Sequence, residues 1–258
     1  MKIQQRFVAL AVSCVLALAC SVPAWTQTAD AGKAPVADDA LQQAIHDYIL
    51  AHPEVLIQSL RIAKEREQIR AAEQNEALIA SLKKNLVDDP NAPVRGNPSG
   101  DVTVVEFFDY RCPVCRQVEP SLQALIKNNR GLRVVEKEFP ILGPASVYAA
   151  RVALAAYKQG KYEQFHDSVV SKNSNFDEAT IVKLAGQSGL DLDRVKTDMN
   201  SPAVDAELKR SIQIAKALRL DGTPAFIVGT ELVPGATDLE TLQALVDKAR
   251  PERTDAAQ

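Results

Sequence analysis

The feature that most constrains this chain is an apolar run that ends in two closely spaced cysteines, Val104-Val105-Glu106-Phe107-Phe108-Asp109-Tyr110-Arg111-Cys112-Pro113-Val114-Cys115. The residues from Val102 to Phe108 are mostly β-branched or aromatic, the composition of a buried strand. After the cysteines, Val118, Leu122, Leu125 and Ile126 fall on one helical face. The pattern reads as strand, tight turn, helix, with Cys112 where the helix begins. The first turn of a helix carries unpaired N–H groups and the positive end of the macrodipole. A thiolate is favoured there, and such cysteines ionise at about 3.5 to 7.5 instead of about 8.5. Pro113 suits the first helical position, because the N–H that it lacks would be unpaired anyway. Cys115 lies one turn on, within reach of a mixed disulfide formed at Cys112. The pair therefore points to thiol–disulfide exchange.

Three other readings compete. A C-x-x-C pair is half of a zinc site, which takes four ligands. The histidines, His46, His52 and His166, are not spaced as ligands to this pair, so no metal is assigned. An exported protein can also capture Cu(I) with two soft thiolates, although Met199 is the only methionine after Met1. The third is a structural surface protein with vestigial thiols. A net charge of −3 in 258 residues leaves no nucleic-acid footprint.

The chain starts with a basic Met1-Lys2-Ile3-Gln4-Gln5-Arg6, an apolar run from Phe7 to Ala19 too short to span a bilayer, and a small-x-small Val22-Pro23-Ala24. This reads as a secretory signal peptide over residues 1–24. Cleavage there removes Cys14 and Cys20 and leaves Cys112 and Cys115 as the thiol inventory. A minor alternative makes Cys20 a lipidated N-terminus through Ala17-Leu18-Ala19-Cys20, with the leucine one place off the usual pattern. Residues 25–37 read as a linker.

Residues 38–87 read as a helical arm. Asp38-Asp39 offers an N-cap, and Leu41, Ala44, Ile45, Tyr48 and Ile49 form an amphipathic face. His52-Pro53 breaks or kinks the pattern, and 54–87 runs on without Gly or Pro. Val55, Ile62 and Ile69 recur every seven residues, as do Ala72, Ile79 and Leu86, with Gln58, Glu65 and Glu76 interrupting the seam. The expectation is a homo-oligomerisation arm; the alternative is a helical hairpin folded onto its own domain.

Turn-rich stretches at 88–93 and 96–100 separate the arm from a domain over 88–250. Its order is strand 102–108, the cysteine helix, strand 133–139, then helices over 145–158, 162–170, 178–187, 192–199 and 203–218. A hairpin of 225–228 and 231–233 and a helix over 239–249 close it, before a polar tail at 251–258. One sheet formed from the β-α-β and β-β-α parts, with a helical insertion at about 143–218, is an α/β thioredoxin-like fold preceded by an α-helical arm.

Gly222-Thr223-Pro224 opens the hairpin. A cis Thr223–Pro224 bond would present the Thr223 main chain beside Cys112, where it can hold a substrate strand. Glu106 is the one charged residue of its strand. Desolvation behind the cysteines would raise its pKa and let it shuttle the Cys115 proton; the alternative is a solvent-facing edge residue. Asp109 and Arg111 read as surface or loop residues, with Arg111 placed to help stabilise a thiolate.

The segment from Glu106 to Cys115 resembles the DsbA family of bacterial periplasmic thiol–disulfide oxidoreductases. Thr223-Pro224 is similar to that family's cis-proline loop, Glu106 to its buried glutamate, and Gly143-Pro144-Ala145 to Ala156 to the start of its helical block. The likeness covers about Asp88 to Arg250. Pro113-Val114 between the cysteines departs from the Pro-His of the archetypal oxidase. The arm resembles the ScsC-like subgroup with N-terminal oligomerisation segments. The resemblance implies catalysis by Cys112, Cys115 and Glu106, and substrate binding by Thr223, Pro224, Pro113 and Val114. The Cys112–Cys115 disulfide would be the only redox group, with no other cofactor. It further implies a periplasmic location, unfolded or misoxidised secreted proteins as substrates, and a membrane redox partner.

Overall fold

The computed structural model describes residues 39–172 and 176–250. The expected signal peptide, linker, Asp38 cap, Cys20 lipidation site and C-terminal tail lie outside them. The chain divides into two compact units, Met1–Ser59 and Leu60–Gln258.

In the first unit, α1 (Asp39–Ala51) is followed by the start of α2 (Pro53–Leu86). Pro53 opens α2, where its missing N–H is harmless. The Tyr48 and His52 rings pack at 4.5 Å across the break. α1 buries no residue; Leu41, Ile45 and Tyr48 are all exposed.

The second unit holds the rest of α2. Leu60, Ile62 and Ile69 are exposed, whereas Ile79 and Leu86 are buried in a cluster with Val105, Val135 and Ile227. The seven-residue pattern thus changes role along one helix: its C-terminal turns belong to the domain core and its earlier turns leave their apolar side chains uncovered.

Among the described residues the sheet has five strands in the order β1-β3-β2-β4-β5. These are β1 (Val94–Gly96), β2 (Val102–Phe108), β3 (Leu132–Glu138), β4 (Ala225–Val228) and β5 (Glu231–Pro234). β2 and β3 are parallel, joined by α3 (Pro113–Asn128), and the other pairs are antiparallel. β1 is a departure from the sequence reading, which left Val94 and Arg95 between two turn-rich stretches. Three residues, Val94 to Gly96, carry too little periodicity to register, and pairing with β3 is what makes them a strand.

Side chains alternate between the two faces of the sheet. Val102, Val104, Leu132, Val134 and Phe226 pack under α3 (Val118, Leu122, Leu125) and α9 (Leu239–Ala249, through Leu242 and Val246). Val105, Phe107, Val135 and Ile227 face α8 (Pro202–Ala217) and the end of α2. The insertion comprises α4 (Pro144–Lys158), α5 (Tyr162–Val170), α6 (Glu178–Gln187), α7 (Leu192–Asp198) and α8. α4 buries Ala149, Ala150, Ala153, Ala155 and Ala156, small side chains that admit its neighbours closely. Asp177, Asp191 and Asp238 cap α6, α7 and α9 by accepting from first-turn amides.

Lys137 is completely buried between β3 and α8. Its Nζ lies 2.8 Å from Asp89 Oδ2 and 3.2 Å from Glu207 Oε1, and Arg210 Nε is 3.1 Å from the same Asp89 oxygen. Removing one member of a buried ion cluster strands the others. Lys137→Ala is expected to cost about 3–5 kcal/mol by urea unfolding, with the midpoint falling and the slope unchanged. A loss under about 1 kcal/mol, the value of an exposed pair, would mean that water already solvates the cluster.

Candidate active site

Cys112 is the N-cap of α3, with φ −70° and ψ 116°. Its Sγ accepts from the Cys115 amide at 3.3 Å and, as a thiol, donates to the Thr223 carbonyl at 3.2 Å. Pro113 occupies the start of the helix, and the Thr223–Pro224 bond is cis. The expected apposition of Cys112 and the proline loop is therefore present. Cys112 is 4% exposed and Cys115 fully buried, and neither is bridged. Pro113 is exposed beside them, and Val114 packs on the cluster that contains both cysteines.

The two thiols differ sharply in acidity. The hydrogen bond from the Cys115 thiol is the main cause that brings Cys112 down to about 6. Burial opposes this, while the Thr223 side chain and the Cys115 and Val114 amides add to it. Cys115 is pushed far above the ordinary thiol range, first by burial, then by its bond to Cys112 and the charge of Glu106. One sulfur is thus ready to attack while the other holds its proton until a mixed disulfide forms.

Glu106 is 1% exposed, which rules out the solvent-facing alternative. Burial raises its pKa well above the usual carboxylate value, helped by the charges of Glu136 and Glu119 and opposed by Arg95. Beneath it lies a buried network absent from the sequence reading. Arg95 Nη2 donates to Glu119 Oε1 at 2.5 Å, and Nη1 to Glu136 Oε1 at 3.1 Å. His166 faces Arg95 Nη1 through Nε2 and the Tyr110 hydroxyl through Nδ1, each at 3.3 Å. The Tyr162 hydroxyl donates to Glu138 at 3.1 Å. For Glu119, burial works against the charge, but the bond to His166 and the Arg95 guanidinium prevail and bring it down to about 2. Glu136 and Glu138 within an apolar strand were the available signal. Arg95, Glu119 and His166 gave none, because β1 was unread and the other two are single polar residues on helices.

Ligand-type atoms of Glu119, His166 and Asp167 lie within 4.8 Å of one another. The Arg95 guanidinium sits among them and supplies the positive charge, so the cluster is an ion network around an arginine.

Asp109 corrects the sequence reading, whereas Arg111 is the part-exposed turn residue that reading expected. Asp109 is buried and accepts from the amides of Arg111, Ile141 and Leu142 at 2.8, 2.8 and 3.0 Å, bracing the turn that carries Cys112. Arg111 donates to the Leu142 carbonyl at 3.2 Å.

A family model described as the DSBA-like thioredoxin domain matches residues 103–247. The sodium/proton antiporter NhaA 3 of Salinispora tropica is 30% identical over 165 residues, covering 63% of this chain and 25% of the antiporter. The chain thus spans about a quarter of the length of such relatives. The thiol:disulfide interchange protein DsbA of Bordetella pertussis is 28% identical over 144 residues, 54% of this chain and 68% of that protein. Among solved structures, a thioredoxin-like oxidoreductase from Silicibacter pomeroyi is 46% identical with a TM-score of 0.63, covering 65% of this chain and 96% of its own. Proteus mirabilis ScsC in a transitional conformation matches 82% of this chain and 94% of its own, with a TM-score of 0.62 and 23% identity, a likeness of fold. With more than half of its length matched by the family model, the chain belongs to the DSBA-like thioredoxin domain family.

Proposed function

We propose that this protein is an exported thiol–disulfide oxidoreductase that oxidises or isomerises disulfides of secreted proteins through Cys112 and Cys115. The observation that carries the proposal is the Cys112 sulfur, held at a helix start, acidified to about 6 and 3.2 Å from the main chain of the cis-proline loop.

The Cys112 thiolate attacks a substrate disulfide. A bond forms between Cys112 and one substrate sulfur, and the other leaves as a thiolate with the electron pair. Cys115 then gives up its proton and attacks Cys112, closing the internal disulfide and releasing the second substrate sulfur. The substrate is reduced and the protein oxidised; the reverse order oxidises the substrate. In isomerisation a substrate thiolate displaces Cys112 before Cys115 does. Every low-energy step for Cys112 uses its thiolate, and stabilising that thiolate makes the couple more oxidising. No metal or organic cofactor enters these steps. Thr223 and Pro224, with Pro113 and Val114 across the gap, form the surface on which a substrate strand lies, its main chain pairing beside the reactive sulfur.

The arm, residues 38–87, is the proposed homo-oligomerisation segment. Its support is the exposed apolar residues of each unit, Leu41, Ile45 and Tyr48 in α1 and Leu60, Ile62 and Ile69 in α2, which an isolated chain leaves in water. A periplasmic site of action follows from the signal-peptide reading and the likeness to DsbA. Unfolded or misoxidised secreted proteins are the proposed substrates, and a membrane redox protein resets the pair. Among the described residues no helix is long and apolar enough to cross a membrane.

Cys112→Ser is expected to reduce insulin-reduction and scrambled-ribonuclease activity to background, while Cys115→Ser accumulates mixed disulfides. Full activity in Cys112→Ser would refute the assignment. In the reduced protein, ultraviolet thiolate absorbance should titrate with a midpoint near 6 and vanish in Cys112→Ser. Between that value and the ordinary 9.0, the unfolded chain binds a proton at Cys112 that the folded dithiol does not. Stability of the reduced form relative to Cys112→Ser therefore rises with pH across this window and is lost below it. Thermal unfolding at several pH values checks the slope; a flat difference contradicts the lowered pKa. For the arm, deletion of residues 39–69 spares Ile79 and Leu86 in the core. The expected product is a monomer by light scattering that keeps oxidase activity and loses isomerase activity, whereas an unchanged mass would remove the arm from assembly.

A further inference from the structure

Resolution by Cys115 has a proton problem. The thiol is fully buried, its pKa is pushed far up, and the carboxyl beside it, Glu106, is itself inclined to keep a proton. A single protonated carboxyl cannot accept another proton. The structure offers a way round this.

We propose that Glu136 is the terminal acceptor of the Cys115 proton, reached through Glu106: the two carboxyls hold one proton between them in the resting dithiol and take a second when Cys115 closes on Cys112. This rests on the thiol–disulfide reading above and deepens it.

The geometry is specific. Glu106 and Glu136 are in-register partners on the parallel strands β2 and β3, so their side chains emerge on the same face. Both are 1% exposed. They are therefore neighbouring buried carboxyls, and the charge of Glu136 raises the pKa of Glu106. Two like charges held side by side out of water repel, so the pair favours holding one proton. Glu136 Oε1 receives Arg95 Nη1, while Oε2 of each glutamate has no hydrogen-bond partner. Those two free oxygens are the open positions that a proton can occupy.

The surrounding charges require at least one proton on the pair and favour uptake of a second. Arg95 from β1 faces Glu106 and Glu136 from the sheet and Glu119 from α3. His166 and the half-exposed Asp167 of α5 close the far side of the guanidinium, and Tyr110 bonds His166. Glu138 is turned to the Tyr162 hydroxyl and takes no part. One guanidinium cannot balance three buried carboxylates, and an unbalanced buried charge is costly. With one proton on the pair, Arg95, Glu106, Glu119 and Glu136 carry a net charge of about −1; with two, they are neutral. Burial raises the pKa of both carboxyls. Arg95 bonds Glu136 directly and acts on Glu106 only through its charge, which favours the negative charge on Glu136 and the resting proton on Glu106.

The step balances. Cys115 passes its proton to Glu106 as Glu106 passes its own to Glu136. The Cys115 electron pair forms the bond to Cys112 Sγ, and the substrate sulfur departs as a thiolate with the pair of the broken bond. In the oxidising direction the same two protons move back, and the leaving Cys115 sulfur is protonated.

The test mixes the reduced full chain with oxidised glutathione. Rapid mixing follows two steps: formation of the mixed disulfide by Cys112, and release of glutathione as Cys115 closes the ring. Glu136→Gln should leave the first step unchanged and slow the second by about 10²-fold at neutral pH, the low end for a lost proton relay. The slowed closure should then rise about tenfold per pH unit as hydroxide replaces the relay, a steeper limb than that of the unmodified protein. Glu106→Gln should match it, and the double variant should lose no more than either. Glu138→Gln removes a buried carboxyl from the same strand that is turned to Tyr162 and lies outside the relay, and should close at the normal rate. Normal closure in Glu136→Gln at every pH, or equal slowing in Glu138→Gln, overturns the proposal. Failure of the first step in the unmodified protein would instead overturn the thiol–disulfide reading itself.

Discussion

The site depends on the antiparallel register of β2 and β4. Phe107 pairs with Ala225 and Glu106 with Phe226, so the end of β2 lies beside the start of β4. Cys112 follows the first strand and Thr223-Pro224 precede the second, and residues more than a hundred positions apart meet at 3.2 Å. A one-residue slip in this ladder would turn Glu106 to the α8 face and Phe107 into the charge network. The register is held on both sides of the sheet, by Val104 and Phe226 under α3 and α9, and by Val105 and Ile227 against α8 and the end of α2.

The second organising element is charge placed where water is excluded. Lys137 and Glu136 are adjacent in β3 and point to opposite faces, each into its own buried ion cluster. On the α8 face Lys137 binds Asp89, from the segment that leads out of α2, and Glu207 from the insertion. On the α3 face Glu136 joins Arg95, Glu119 and His166 under the reactive sulfurs. Buried ion pairs are weak evidence for stability but demand one geometry, since a displaced partner leaves an uncompensated charge. These clusters tie the edge strand β1, the cysteine helix and the helical insertion to the central strands. The short β1 is held by this as much as by its three-residue ladder.

The sequence was most legible where chemistry and periodicity coincide. The strand–turn–helix around Cys112, the helical insertion, the hairpin and the break at His52-Pro53 all have local signals, and the elements follow them to within a residue or two. Glu106 was legible as a charge within an apolar strand. Asp109 was misread because its partners, the amides of Ile141 and Leu142, lie more than thirty positions away. Arg95 was invisible for the same kind of reason: in a turn-rich stretch a lone arginine reads as solvated, and only the packing of β1 against β3 buries it. The seven-residue pattern of α2 was legible as apolar spacing, but spacing does not say which turns meet the core.

By itself, the sequence determined the reactive pair, the α/β element order and the proline loop, because each rests on residue type and short-range spacing. The tertiary structure alone decided that one thiol is acidic and its neighbour is not, and that a guanidinium lies beneath them ringed by three carboxyls. Acidity depends on burial and on the distance to other charges, and those quantities exist only once distant strands and helices have been brought together.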